Sequence, residues 1–568
     1  MALQAYPDVP LFRYPYTNLT NAQIVSKLNP ASAAGPTSKG ALETNLAGTR
    51  LRIVLDGADP MTWQFGQNGR VTMDGQEVGY GALTMGHVTL ISHLMPGAME
   101  GWAIVWDRQS DLATVFELWF GGDPSPHTRE VNRAIWHGYV DTGSGTAPSE
   151  RHAPTLRAEG RALAWTEDTG NRTIEYYPSV TYCHWVELDR LKEGRGYSAP
   201  SDYIQLTEDL YAFTRVEAEF SGLMHLYVMD ANRLEQIGMR LGFNGADELE
   251  YYLFRGTGEW LGQLARFEKF GDFSAEPLKV ENAKKGERRI YRPLATMDVM
   301  SEAEVAEVAR NTSRAFTKPS GMAGNGTAPS GALSGRSFAV AYDDGPSVEY
   351  RFASADSLSW RDTGSGNWTE ARYNAWEVMP GAFIFGHFLK GKPDHDAHIV
   401  VVDLDSGMAT AFRGYLNTPY IANEAGAETF FGKIVGDGIA DPGRRRHERT
   451  RDMLGQAFTW EYSPGVNSMH VYSTPNTVSW VIPTPTNHFG SEWSGSGDFI
   501  KIRDQLYFNR WQEEACNGTL GTILINMRTM HDAGIGYHCG KEELSLGPVG
   551  APARNAGKIN VDKFFPRT

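Results

Sequence analysis

Three residues in the second half of the chain are of types that move protons and hold oxygen atoms. FAVAYDDG carries Tyr342, SWRDTG carries Arg361 and NAWEVMPG carries Glu377. A guanidinium can grip a carboxylate through two parallel hydrogen bonds. A glutamate desolvated among tryptophans has a raised pKa, so it can give or take a proton near neutrality. Strand alternation places Phe338, Val340 and Tyr342 on one face. Trp360 and Trp376 supply aromatic walls, and His387 follows beyond the Pro380-Gly381 turn. Alternation admits only one of Trp376 and Glu377 to the interior, and Arg361 can equally sit outside in a turn beside Asp362.

A second set lies further on. Trp460 and Tyr462 share a face by alternation, as do Trp511 and Glu513, with His470 and Arg510 nearby. Tyr342, Arg361, Glu377, Tyr462 and Glu513 are therefore the expected catalytic residues. Trp360, Trp376, His387, Trp460, His470, Arg510 and Trp511 are the expected substrate-binding ones. For Glu513 the rival is an outward position or a structural salt bridge. Asp394-His395-Asp396-Ala397-His398 holds ligand-type residues but reads as a polar loop before IVVVDL, and no Cys cluster accompanies it, so no metal is expected. No Gly-rich phosphate loop opens a helix and no GxSxG is present, so no cofactor and no serine nucleophile are expected.

The elements that must position these residues are strands. LRIVL, MTWQF, GHVTLISHL, GWAIVW and LATVFELWF follow one another with Gly, Asp or Pro between them. The chain then replays itself. A shift of 296 positions carries Asp202 to Asp498, Tyr211 to Tyr507, Glu217 to Glu513 and Gly222 to Gly518, and a shift of 295 carries His152 to His447 and Trp165 to Trp460. LAGTRLRIVL returns as LSGRSFAVAY. Each quarter is a run of short strands, and consecutive strands with short connections form an antiparallel meander that can close on itself. The expected fold is all-β, with four small antiparallel barrels in two tandem pairs and few short helices. The expected boundaries are an extension at 1–40, barrels at 41–142, 143–250, 335–440 and 441–568, and a connecting region at 251–334. Residues 20–29 read as a short helix capped by Thr20 or Asn21. The connecting region holds a capping box, Ser301 to Glu304, and a Gly-rich stretch at 319–335 that reads as a flexible linker.

Composition narrows the function classes. Of the 568 residues 41% are hydrophobic, which supports large cores, while a net charge of −15 argues against nucleic acid. No apolar run reaches a membrane span and the N-terminus lacks a signal-peptide layout, so a cytoplasmic protein with no membrane partner is expected. Cys183, Cys516 and Cys539 cannot form a disulfide framework and are expected as buried thiols.

HERTRDMLGQAFTWEYSPGVNSMHVYS with DFIKIRDQLYFNRWQE resembles the C-terminal domain of the MoaF family, and LSGRSFAVAYDDGPSVEYRF with WEVMPG resembles its N-terminal domain. That resemblance implies calycin (lipocalin-like) barrels in a tandem, double-length member of a family associated with molybdenum-cofactor biosynthesis. Nothing in the sequence resembles a pterin- or metal-binding motif. A more distant likeness is to phenolic acid decarboxylases, which share the small barrel and need no cofactor. Tyr342 stands at the second tyrosine of their pattern, Arg361 resembles the arginine and Glu377 the glutamate. Val340 replaces the first tyrosine, and the Trp-Glu spacing is shorter by one. In the fourth quarter Trp460 and Tyr462 stand at the tyrosine pair, and Glu513 keeps Trp-x-Glu.

The expected activity is cofactor-independent acid/base chemistry, a decarboxylation, dehydration, isomerisation or cyclisation, on a small hydrophobic or aromatic molecule in a barrel lumen. A non-catalytic carrier of such a molecule is the alternative, and a homodimer is compatible with either. The C-terminal half is the expected seat of activity, because its first barrel alone holds a Tyr, an Arg and a Glu.

Overall fold

A computed structural model describes residues 4–6, 9–13, 19–121, 129–143, 145–179, 181–189, 195–217, 222–266, 300–312, 321–391, 395–417, 422–483, 492–513 and 518–565. The chain divides into two compact units, one mainly Arg13–Ala295, the other mainly Thr296–Phe489 with Trp493–Thr568. Each unit holds two antiparallel barrels, as the repeat implies.

In the first barrel eight strands from Arg50–Leu55 to Val131–Val140 run in order, and the last pairs with the first to close the ring. The second runs from Arg161–Glu167 to Leu249–Gln263 and closes the same way. It extends past position 250 because that long last strand is the one that closes it. The third barrel has nine strands, from Ser337–Tyr342 to Gly426–Val435, paired first to last. Its seam lies between Thr369–Arg372 and Asn374–Met379, which are the two ends of the sheet. In the fourth, Ala553–Lys558 pairs with Gln456–Ser463, and Leu544–Val549 forms the other end of the sheet.

Within each unit the barrels pack through outer faces, so there are three cores: two lumens and one seam. In the first unit Leu90, Val105, Leu226 and Met239 meet in the seam with Ile24 and Leu28 of α1 (Asn21–Ala34). In the second, Ile384, Phe412, Phe508 and Ile535 meet with Val305 and Ala309 of α2 (Glu302–Thr312). Thr20 caps α1 in a box with Gln23, and the helix continues through Pro30 to Ala34, with Ser32 beyond the proline buried. Both α2 and its Ser301–Glu304 box form where the sequence places them.

Three features of the sequence repeat mark equivalent structure. His152 Nδ1 meets Thr114 Oγ1 at 2.9 Å, and its partner in the repeat, His447, meets Thr410 at 2.9 Å. Asp202 and Asp498 both sit in seams, though their arginines differ in origin: Arg133 of the neighbouring first barrel at 2.7 Å, and Arg510 of the fourth barrel itself at 3.1 Å. Gly138 and Gly432 stand at the closing strands, where a Cβ would lie 2.2 Å from the Val54 carbonyl oxygen and 2.4 Å from that of Ala341.

The stretch read as a linker is tied down over its described residues 321–335. Asn325 donates to the Tyr462 and Glu461 carbonyls at 2.8 and 2.9 Å, Ser330 N–H donates to the Ala375 carbonyl at 2.7 Å, and the Trp376 indole donates to the Thr327 carbonyl at 3.0 Å. Its glycines allow a close run along the barrels rather than free motion. Cys183 and Cys539 are buried free thiols, and Cys516 lies outside the described residues. No described helix is long and apolar enough to cross a membrane.

Candidate active site

The lumen of the third barrel collects part of the first expected set. Tyr342, Trp360 and His387 all point inward and are buried. Tyr342 Oη lies 3.1 Å from His398 Nε2, and Tyr350 Oη lies 2.8 Å from His398 Nδ1 and 3.4 Å from His387 Nε2. His387 Nδ1 lies 3.0 Å from the Phe388 carbonyl, which fixes that nitrogen as the N–H. Burial lowers the His387 pKa to about 4, so the ring is neutral. His398 corrects the reading of 394–398 as a polar loop: Ala397–Asp403 is a strand, and alternation aims His398 into the barrel. Asp394 lies outside the described residues.

Arg361 and Glu377 are corrected in place. Arg361 alternates with the inward Trp360, so it lies outside, where it binds Glu349 at 2.7 Å and covers the Trp368 ring at 4.6 Å. Glu377 is exposed at a strand end, and its carboxylate accepts the Gly381 N–H at 2.9 Å, closing its own turn. Neither is desolvated in a lumen, so the acid/base role argued for Glu377 lacks its physical basis. Trp376 is buried, but in the seam rather than the lumen.

The fourth barrel keeps Trp460, Tyr462, His470 and Trp511 in its lumen, with Trp460 and Trp511 ring centroids 5.9 and 5.3 Å from His470. Arg510 alternates out of it into the seam, where it pairs with Asp498 and lies 5.8 Å from the Phe412 ring, so it is not a lumen ligand. Glu513 is half-buried at a strand end. The lumen also holds Asp532, absent from the expected set. Its Oδ1 accepts the Ala551 N–H at 2.6 Å, and burial pushes its carboxyl up to about 8.

Among the described residues, the densest group of ionisable side chains is in the second barrel, in the other half of the chain. Arg161–Glu167, Arg172–Tyr176, Tyr182–Glu187, Leu210–Val216, Met224–Asp230 and Glu235–Phe243 place Glu167, Glu175, Glu187, Arg215, His225 and Arg240 on the face of the lumen tryptophans and tyrosines, with Glu217 just beyond. All seven are buried. Arg215 donates to Glu175 at 2.7 Å, lies 3.5 Å from Glu217, and stacks over Trp185 at 4.5 Å. The Tyr177 hydroxyl donates to Glu175 at 2.6 Å. His225 Nε2 lies 3.1 Å from Glu217, and its Nδ1 lies 2.9 Å from the Tyr227 hydroxyl. Arg240 donates to Glu250 at 2.5 Å.

The environment divides these carboxyls. Burial raises Glu187, and the neighbouring Glu217 charge raises it further, so Glu187 is a neutral acid at pH 7. Burial opposes ionisation of Glu217 too, but the hydrogen bond from His225 and the Arg215 and Arg240 charges prevail and hold it below the usual carboxylate range. His225 is kept neutral by burial and by Arg215. Within one buried cluster beside fixed cations the two carboxyls are thus driven apart, Glu187 toward the neutral acid and Glu217 toward the carboxylate.

The repeat provides a control. The fourth barrel has the same strand order, yet the second barrel's Glu167, Glu175, Glu187, Arg215, His225 and Arg240 become Tyr462, His470, Ile482, Trp511, Gly521 and Gly536. The fold thus forms without these charges, whose burial is costly. Only Glu217 keeps its type, as Glu513, and that pairing was the one signal in the sequence pointing to this lumen.

Residues 319–418 match the family model for the MoaF N-terminal domain, and residues 447–558 match that for the MoaF C-terminal domain. They span most of the third barrel and most of the fourth. No curated protein matches the chain.

Proposed function

We propose that the barrels of this chain, whose C-terminal half matches the two MoaF domains in tandem, act on small molecules. In this reading the chain is a cytoplasmic acid/base enzyme of lyase or isomerase type, working with its own side chains on a small hydrophobic or aromatic molecule such as a natural-product intermediate. The second barrel, rather than the C-terminal half, is the catalytic centre. The observation that carries this is the buried cluster of Glu175, Glu187 and Glu217 with Arg215, His225 and Arg240 in the second barrel, in which burial raises Glu187 while the His225 hydrogen bond and the guanidiniums lower Glu217.

Glu217 takes a proton from a carbon adjacent to a substrate carbonyl. Glu187 hydrogen-bonds the carbonyl oxygen as charge develops there, and Arg240 and Arg215 stabilise that charge. Return of the proton from Glu217 to a different carbon completes an isomerisation. Glu175 and Tyr177 hold Arg215 in place, and His225, fixed by Tyr227, orients Glu217.

The test is deuterium incorporation from D2O, followed by NMR, across a panel of small aromatic ketones and unsaturated acids. Glu217→Gln and Glu187→Gln should each lower turnover of the accepted compound by about 10²–10⁴-fold, while Glu377→Gln leaves it unchanged. Full activity in both second-barrel variants would overturn the assignment.

A further inference from the structure

The lumen of the third barrel contains a cavity of about 180 Å³, lined by Tyr342, Val348, Trp360, Leu389, His398 and Phe430. Its wall is almost wholly apolar, and the Tyr342 hydroxyl and His398 imidazole form its polar edge. A dry cavity of about 150 Å³ suffices to hold benzene, so this one has room for a single six-membered ring with a small substituent.

The first barrel shows how the space arises. Strand pairing makes Leu55, Trp63 and Trp102 the counterparts of Tyr342, Tyr350 and His398. In the first barrel the two indoles meet edge to face at 6.5 Å, and Trp63 donates to His93 at 2.9 Å. Replacing two tryptophans by a tyrosine and a histidine removes ring volume from the centre. His387 stays at the position of His93, so the histidine remains while its surroundings change.

The hydrogen-bond chain defines what the cavity presents. His387 has its proton on Nδ1, so its Nε2 can only accept from Tyr350. When Tyr350 donates instead to His398 Nδ1, the shorter contact, His398 Nε2–H donates to Tyr342 and the Tyr342 proton is released toward the cavity. When Tyr350 donates to His387, the chain reverses and Tyr342 donates to His398. The edge can thus serve a ligand oxygen as donor or acceptor. At the mouth Arg413 is already committed to Asp396 at 2.5 Å and Glu428 at 3.1 Å, and Asp362 adds negative charge, so an anion is disfavoured.

We propose that the third barrel is a binding site, separate from the second-barrel lumen, for an uncharged ring-sized molecule carrying one hydrogen-bonding oxygen, of the phenol class, oriented by Tyr342 and His398. The site stands whether or not the second barrel is catalytic, since none of its residues belongs to that barrel.

Isothermal titration of the full-length protein with p-cresol, toluene and benzoate tests it. One equivalent of p-cresol should bind, toluene about fivefold more weakly for want of one hydrogen bond, and benzoate more weakly still. Tyr342→Phe, which removes one oxygen, should bring p-cresol down to the toluene affinity. Leu389→Phe should fill the cavity and abolish binding of both. Equal affinities for p-cresol and toluene in the wild type, p-cresol affinity unchanged in Tyr342→Phe, or binding retained by a folded Leu389→Phe would each overturn the proposal, as would the absence of saturable binding.

Discussion

At the scale of single residues, alternation identified the lumen-facing Tyr342, Trp360, His387, Trp460, Tyr462, His470 and Trp511, but Arg361 and Glu377 stand at solvent-facing positions beside buried tryptophans, and Arg510 lies on a strand buried on both faces. Strands between two packed barrels are buried on both faces, so their apolar residues do not reveal which face is the interior. Trp376 illustrates it: a large buried aromatic, yet on the seam side. Asp532 was overlooked because a lone aspartate after a histidine carries no spacing signal, and its significance comes only from burial. That burial makes a prediction. Its folded-state pKa of about 8 lies above the unfolded value of about 3.9. The carboxyl must stay protonated for the native state to pack, so its contribution is intact below about pH 4 and is lost as pH rises toward 8. Urea unfolding between pH 5 and 8.5 should show wild type losing several kcal/mol, on the order of 1.4 per pH unit, relative to Asp532→Asn, which keeps the acceptor for Ala551. Parallel pH profiles for the two proteins would show that the buried group does not titrate in this way. For the second-barrel pair the sign reverses between members. Activity needs Glu187 protonated, so it should fall as pH rises through the elevated Glu187 pKa, and Glu187→Gln should erase that alkaline limb from what activity remains.

At the scale of elements, strands and barrels were legible because short apolar runs punctuated by Gly, Asp and Pro recur at fixed spacing. The ends of elements were less so. The helix read at 20–29 forms but runs past its own proline to Ala34, and the last strand of the second barrel runs well beyond the expected boundary, since GTGEWLGQ lacks apolar alternation yet pairs along Arg161–Glu167. The 321–335 strap shows that a Gly- and Ser-rich composition reports backbone freedom in the unfolded chain, not the absence of partners in the folded one. Helix α2 was fully legible, because its Ser301–Glu304 box makes both reciprocal bonds, at 2.7 Å from the Ser301 N–H and 3.3 Å from the Glu304 N–H. Its Val305 and Ala309 stand on the seam core, so loss of the cap should loosen that edge. Ser301→Ala should cost about 1 kcal/mol, and hydrogen exchange should quicken in the first turn of α2 before it does in the strands beneath. Unchanged exchange there would show that packing alone holds the helix.

At the scale of the whole molecule, duplication produced two units whose paired barrels share topology but not chemistry. The first barrel is filled by tryptophans where the third is hollow, and the second is charged where the fourth is neutral and aromatic. Each unit therefore has one lumen changed away from its counterpart in the repeat, and the changed lumens are of opposite types. The sequence announced the duplication but not this exchange, because aligned positions such as Glu175 and His470 differ without revealing that Arg215, His225 and Arg240 converge on the same point. Every partner named for the second-barrel pair, from Glu175 to Glu250, comes from the first unit. A fragment of residues 1–295 contains both closed barrels, their seam and the seven ionisable residues named above, and lacks only the Gly490–Glu492 segment of this unit, whose Glu492 charge acts on Cys183 and Tyr203. Expressed alone it should fold with a β-type far-UV circular dichroism spectrum, unfold in one cooperative transition, and retain the proton-transfer activity that Glu217→Gln removes from the full chain. An active fragment places the chemistry in the first unit. A folded fragment without activity, when the full chain is active, would move the catalytic centre to the C-terminal barrels and return Asp532 and Tyr462 to the leading role.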